Sequence, residues 1–401
     1  MGVIIWIKWG QIGLSAISTG GFLGVLISNK QILLCAGGLC STALLALTSY
    51  LKDYGFAGFP ISDGRLMDFL IYGDKKMLLN QPLKLKNIIL RNRIVMPPMA
   101  TGKSIDGVPG DVLIDYYKVR AKATALIILE HEYVSPDGMA SIGQLSMADD
   151  GVIDSYKNLT AAVCSQQAVI LAQINHAGAA ARYTGLPTIA PSPIVLYDKQ
   201  PVPHEMTKKD IAVVIKSFTD AALRAKKAGF DGVEIHSAHG YLLNQFYSPL
   251  TNKRTDEYCG TALEGRTRIH TEIIHEVRKA TGEDFIIALR FGACDYMEGG
   301  SKVDEVAAAS GIFEEAGIDL LDISGGHCGY TVDTKTQPGW FSELSAEAKK
   351  AVKVPVILTG GITSGEEAEK LLKENVADLI GVGRAVMQNA SWAQEALAAL
   401  K

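Results

Sequence analysis

The chain has 401 residues, a formal net charge of -4 and 20% charged residues, a globular balance with enough length for one large core. No basic cluster is present to bind nucleic acid. The six cysteines, Cys35, Cys40, Cys164, Cys259, Cys294 and Cys328, are scattered with no CxxC pair, which argues against a disulfide framework or an iron–sulfur site and fits a reducing, cytoplasmic interior.

The first 76 residues differ in composition from the rest. From Met1 to Leu51 the only charged side chains are Lys8 and Lys30. Residues 11–28 and 31–50 are each long enough to cross a bilayer, with Asn29-Lys30 as the turn between them. Residues 1–76 are read as a hydrophobic extension, and residues 11–50 as a membrane hairpin tethering the remainder to the cytoplasmic face. The competing reading is an extension unrelated to the fold, with Met77 opening an ordinary domain.

From Met77 onward, short apolar runs alternate with amphipathic stretches, the signal for a parallel sheet with helical crossovers. Two short apolar pieces around residues 84–86 predict a hairpin closing a barrel floor. Eight apolar runs follow, at 94–96, 125–130, 169–175, 232–236, 285–290, 320–324, 354–358 and 379–382. Helical patterns succeed them at 112–123, 151–164, 210–229, 265–281, 302–316, 342–352, 365–375 and 387–400. Over 77–401 these units predict an α/β fold, a (β/α)8 TIM barrel with an N-terminal β-hairpin cap, rather than a doubly wound open sheet. No GxGxxG follows the first strand. The Pro- and Gly-rich stretch 178–207 is predicted to cover the active face as a substrate loop.

In such a barrel the catalytic groups come from the C-terminal ends of the strands. Strand 1 runs into Pro97-Pro98-Met99-Ala100, strand 2 into Glu130-His131, and strand 3 into Gln173, Asn175 and His176. Strand 4 ends in His236-Ser237-Ala238-His239-Gly240-Tyr241. Two imidazoles and a phenol there suit an enzyme that polarises a carbonyl and protonates a neighbouring carbon. Two other readings are satisfied structural histidines and a zinc site, which would need a further ligand at zinc spacing, and none follows. Strand 5 ends in Arg290 and strand 6 in Ser324-Gly325-Gly326-His327. Gly360-Gly361 and Gly381-Val382-Gly383-Arg384, after strands 7 and 8, match the phosphate cradle that barrels form there. Tight turns alone would also explain those glycines.

Gln173 and Arg290 shift the balance. A buried Arg at a strand end needs an anionic partner, either a carboxylate such as Glu130 or Glu234 or a cofactor that becomes anionic. A flavin is such a cofactor, because its N1–C2=O edge carries charge once reduced. Gln173 offers that pyrimidine edge both a donor and an acceptor. Cradle, amide, guanidinium and carbonyl-binding pair together describe FMN beneath a substrate pocket.

At these residues the chain resembles the Old Yellow Enzyme family of FMN-dependent NAD(P)H oxidoreductases, over residues 77–401. The matching stretches are Arg93-Ile94-Val95-Met96-Pro97-Pro98-Met99, Gln173-Ile174-Asn175-His176-Ala177-Gly178 and Ala190-Pro191-Ser192. The strand 4 segment continues the match into Asn252-Lys253-Arg254-Thr255-Asp256-Glu257-Tyr258, and Ala377-Asp378-Leu379-Ile380-Gly381-Val382-Gly383-Arg384 closes it.

The resemblance implies that Pro98, Met99 and the Ala100 backbone line the flavin near its reactive edge. Gln173 and Arg290 would hold the pyrimidine side, and Gly360, Gly361, Gly383 and Arg384 the FMN phosphate. His236 and His239 would bind the substrate carbonyl oxygen, with Tyr241 as proton donor. His131 is grouped with the positions against the flavin edge, without a role of its own. The implied reaction passes hydride from NADH or NADPH through flavin N5 to the β-carbon of α,β-unsaturated carbonyl compounds. Self-association is common in the family.

Some positions depart from the family pattern. Ala100 stands where many relatives carry Thr or Cys, which bears on the flavin potential. Thr101-Gly102 is similar to the subgroup of 2,4-dienoyl-CoA reductases, whose larger members continue into an iron–sulfur segment; no iron–sulfur cluster is expected here. Cys259 and Gly265 replace residues usually Gly and Asn. Other readings are a reductase of steroid or enoyl-CoA-type substrates and a membrane-tethered flavin electron carrier to quinones. A phosphosugar-binding barrel without flavin would leave Gln173, Arg290 and the strand 4 group without work.

Overall fold

The computed structural model describes residues 77–400 and, ahead of them, the strands Ile4–Lys8, Ser15–Ala16, Leu23–Ser28 and Gln31–Ala36. The chain divides into two units, Met1–Lys76 and Met77–Lys401. In the first, the described strands pair antiparallel, with Leu23–Ser28 beside Gln31–Ala36 and Ser28 opposite Gln31. The remainder of the expected membrane hairpin lies outside the described residues.

The second unit begins with a hairpin, Leu83–Leu85 paired with Ile88–Leu90. Leu85 and Leu90 are fully buried or nearly so and cluster with Val95, Leu126, Leu171, Ile286, Ala288, Leu320, Ile357 and Leu379, the side chains filling the lower barrel. Each such burial contributes roughly 1.5–3 kcal/mol, so the hairpin is held as the barrel floor.

Eight parallel strands follow: β1 (Ile94–Met96), β2 (Leu126–Ile128), β3 (Val169–Asn175), β4 (Gly232–Ser237), β5 (Ile286–Cys294), β6 (Leu320–Gly325), β7 (Val356–Thr359) and β8 (Leu379–Gly381). Each pairs with its sequence neighbour, and β8 returns to pair with β1, closing the barrel. Outside lie α1 (Asp111–Arg120), α2 (Ile153–Cys164), α3 (Lys208–Lys227), α4 (Leu263–Thr281), α5 (Val306–Ala316), α6 (Ser342–Ala351), α7 (Gly365–Lys373) and α8 (Trp392–Ala399). Capping boxes start two of them, Thr207 with Asp210 before α3 and Ser364 with Glu367 before α7.

The fold is the (β/α)8 barrel predicted, with three local differences. β5 extends to Cys294 through an irregularity between Gly292 and Cys294; the charged Arg290 had marked its expected end. A short helix, Leu242–Tyr247, follows β4 with all its residues buried, so it carries no amphipathic period to read. The last predicted helix is two, Arg384–Gln388 and α8. Between them the Asn389 side chain accepts from the Ser391 amide, a local bond that competes with helix continuation.

Candidate active site

The C-terminal ends of the strands open into a cavity of about 900 Å³, a size typical of small-molecule and cofactor sites. Its walls bring together Pro98, Met99, Ala100, His131, Gln173, His236, His239, Tyr241, Arg290, Gly360, Gly361, Gly383 and Arg384. These residues therefore share one space, whereas Glu130, Asn175, His176, Ser324 and His327, also at strand ends, do not line it. Tyr330, Trp340 and Thr359 line it as well.

The loop after β1 is tied down by Glu130 at the end of β2. The Thr101 amide donates to Glu130 Oε2 at 2.9 Å and the Thr101 hydroxyl to Oε1 at 2.7 Å. Met99 packs so closely on Gly383 that a Cβ there would lie 2.7 Å from its Sδ.

The β4 turn is built to present its rings. His239 adopts a left-handed backbone with φ 60°, a conformation that costs a non-glycine residue about 1–3 kcal/mol and persists only where its surroundings impose it. Its amide donates to Gly325 O at 3.3 Å, the Gly240 amide to Asn244 Oδ1 at 2.8 Å, and the Tyr241 amide to Ala238 O at 3.3 Å. His239 Nε2 bonds Ser324 Oγ on β6 at 2.8 Å. The His236 ring stands nearly perpendicular to those of His239 and Tyr241, each 5.2 Å away.

Burial sets the protonation states. It holds His236 and His239 well below the ordinary imidazole value; His239, Arg290 and His131 add to the effect on His236, and Arg290 and His131 to that on His239. Both rings are neutral at physiological pH, so each carries one N–H donor. Tyr241 is pushed up to about 12 by burial and by Tyr197, with Arg182 opposing; it keeps its proton.

His131 belongs to the same cluster. It stacks on Tyr241 at 5.6 Å and meets His236 edge-on at 6.3 Å. The Ala140 amide donates to Gln144 Oε1 at 2.6 Å, which leaves Gln144 Nε2 facing His131 Nδ1 at 3.3 Å; Asn175 Nδ2 lies 3.4 Å from the same atom. Nδ1 is thus an acceptor and the proton sits on Nε2. Burial, then Arg290, lower its pKa to about 4.

The opposite end of the cavity is glycine-lined. A Cβ on Gly381 would lie 2.0 Å from Thr359 Oγ1 and one on Gly360 2.5 Å from the Trp340 ring. Arg384 stacks over that indole at 5.3 Å. Trp340 Nε1, Thr359 Oγ1 and Arg290 Nε are buried without a hydrogen-bond partner in the protein. These unmet donors, the glycine wall and the Gln173–Arg290 pair fit FMN: a phosphate at the Arg384 end and the pyrimidine edge against Gln173 and Arg290. Among the described residues no group of His, Cys, Asp or Glu is placed to hold a metal ion.

A family model described as NADH:flavin oxidoreductase / NADH oxidase matches residues 78–401. The chain belongs to that family. Relatives include an NADPH dehydrogenase of Halalkalibacterium halodurans, 40% identical over 78% of this chain and 91% of its own length. An NADH oxidase of Thermoanaerobacter brockii is 42% identical over 78% of this chain, which spans only 50% of that longer protein. Among solved structures, an Old Yellow Enzyme homologue from Zymomonas mobilis is 28% identical, covering 80% of this chain and 93% of its own, with a TM-score of 0.70. FMN is the cofactor of this flavin oxidoreductase family and NADH or NADPH its reductant. A second family model, described as a SMODS and SLOG-associating 2TM effector domain, family 4, matches residues 4–59.

Residues that motif reading passed over are Ser324, which holds His239; Gln144, which sets the His131 tautomer; and Trp340, against the glycine wall. Ser324 was visible as a strand end. Gln144 and Trp340 lie in loops without a periodic signal.

Proposed function

We propose that this chain is an NAD(P)H-dependent FMN ene-reductase that reduces the C=C bond of α,β-unsaturated carbonyl compounds. The observation that carries the reading is the perpendicular His236–His239 pair with Tyr241 beside it, all three protonated for donation and none charged. When bound, FMN would supply hydride chemistry, a hydride equivalent from the nicotinamide being passed on to the β-carbon of the alkene. His236 and His239 donate to the carbonyl oxygen and stabilise the negative charge that develops there. Tyr241, protonated at all physiological pH values, delivers the proton to the α-carbon. The His131 Nε2–H supplies a further donor on the Tyr241 side.

The loop after β3 supports substrate enclosure. Ala180, Ala181 and Leu196 pack with Ala177 and Tyr241, and Arg182 stacks on Tyr197 at 4.0 Å. The test is single-turnover oxidation of the reduced full-length chain by cyclohexenone. Reoxidation that His239→Ala slows on the order of 100- to 1000-fold supports the assignment; an unaffected rate in that variant rejects it.

We also propose that residues 11–50 attach the cytoplasmic catalytic unit to a membrane. The near absence of charge in that stretch and the family match described as 2TM over residues 4–59 support this. Among the described residues no helix is long and apolar enough to cross a membrane. Release of the full-length chain into the supernatant at low salt without detergent would reject the attachment.

A further inference from the structure

Behind the cavity wall lies a buried polar layer that the reaction as described leaves without work. Gln173, Glu234, Arg290 and Asp322 come from the consecutive strands β3 to β6, and the registers set Gln173 opposite Glu234 and Arg290 opposite Asp322. Gln173 and Arg290 reach the cavity. Glu234 and Asp322, each 0% exposed, stand behind them.

Gln173 Nε2 donates to Glu234 Oε1 at 2.7 Å, and Arg290 Nη1 lies 3.4 Å from Asp322 Oδ2. Taken as carboxylates, Glu234 Oε2 and both Asp322 oxygens find no hydrogen-bond donor. Both acids are fully buried beside the one guanidinium, and two negative charges there would repel each other unless one of the acids carries a proton. Burial pushes both carboxyls upward, most strongly Glu234, where Asp322 adds to it; Arg290 opposes the rise in each. One guanidinium has two acids to serve, and an unpaired ion at such depth costs several kcal/mol.

We infer that Glu234 and Asp322 share a single proton and place one negative charge behind Arg290, so that the layer facing the FMN pyrimidine edge is neutral overall. The two acids are positioning residues: they touch neither cofactor nor substrate and act through Gln173 and Arg290. An uncompensated Arg290 would favour the electron-rich reduced cofactor through Coulomb attraction at short range. The one negative charge left on the pair keeps the flavin potential lower than a bare guanidinium would set it. Because either acid can carry the charge alone, the pair buffers the layer against loss of one member. The inference requires FMN in this cavity but not the enone reading.

The experiment measures the FMN midpoint potential, against a reference dye, of the full-length holoprotein and its Glu234→Gln, Asp322→Asn and doubly substituted variants. Each single variant is expected to stay within about threefold of the parent in its preference for reduced over oxidised FMN. The double variant should shift at least tenfold toward reduced FMN, which for a two-electron couple is about 30 mV upward. Equal upward shifts in both single variants would show two ionised carboxylates, and an unshifted double variant would show none; either overturns the inference. Infrared difference spectra provide a readout independent of FMN and turnover. Each parent-minus-variant spectrum should show the loss of one carboxylic-acid C=O stretch, and its absence from both difference spectra overturns the shared proton even if the double variant fails to fold. A parent that binds no FMN refutes the cofactor assignment, while the infrared result still decides the proton.

Discussion

His239 Nε2 and Ser324 Oγ lie 2.8 Å apart, a hydrogen bond that ties the imidazole on the β4 turn to the end of β6. The hydroxyl can donate to Nε2 or accept from it, so the bond fixes the orientation of the ring from a residue outside the β4 motif. Ser324→Ala removes one such bond, on average 0.5–1.5 kcal/mol. Oxidation of the reduced enzyme by an enone is expected to slow about threefold to tenfold, with reduction by NAD(P)H unchanged; stopped-flow absorbance separates the two steps.

Tyr241 titrates near 12, so its acid form is retained as pH rises from 6 to 9 and is lost only as pH approaches that value. The enone step should be flat with pH over this range. Tyr241→Phe removes the proton source and is expected to slow the step on the order of 100-fold, with little effect on binding of a saturated ketone. A pH-rate profile beside an equilibrium titration checks both.

The His131 Nε2–H, fixed by Gln144 and Asn175 at Nδ1, belongs to a ring that lines the cavity beside Tyr241. His131→Leu keeps much of the ring's volume and loses the donor. Saturated ketone ligands are expected to bind about twofold to tenfold more weakly, measured by calorimetry, while the FMN content stays at the parent level.

Gly381 has no room for a side chain, since a Cβ would lie 2.0 Å from Thr359 Oγ1. Gly381→Ala should destabilise the barrel by about 1–3 kcal/mol through overpacking and reduce FMN retention after gel filtration. Thr359→Ala in the same chain removes the clashing hydroxyl and should restore part of the melting temperature.

The barrel was legible because the strands are short, mostly apolar runs and the outer helices mostly amphipathic stretches, two patterns that alternate along 77–401. The cavity-lining residues were legible because they sit at strand ends, where polar side chains interrupt buried runs: His236 after Ile235, Arg290 after Leu289. Leu242–Tyr247 escaped because a helix buried on all sides has no period. Asp322 escaped as a working residue because it lies inside β6, two residues before the visible strand end. The partners of His131 and His239 are set by strand packing, which brings together Gln144 with His131 and Ser324 with His239 across 13 and 85 residues of sequence.

The central claim is that a flavin in this cavity passes electrons to an alkene whose carbonyl rests on His236 and His239. One anaerobic measurement tests it most directly: reduce the full-length holoprotein with NADH or NADPH, mix it with cyclohexenone, and follow the flavin absorbance. The account predicts bleaching by the nicotinamide and recovery of the yellow colour with the enone, strongly slowed in His239→Ala. A protein that bleaches but regains colour only with quinones would contradict it, as would an enone step indifferent to the loss of His239.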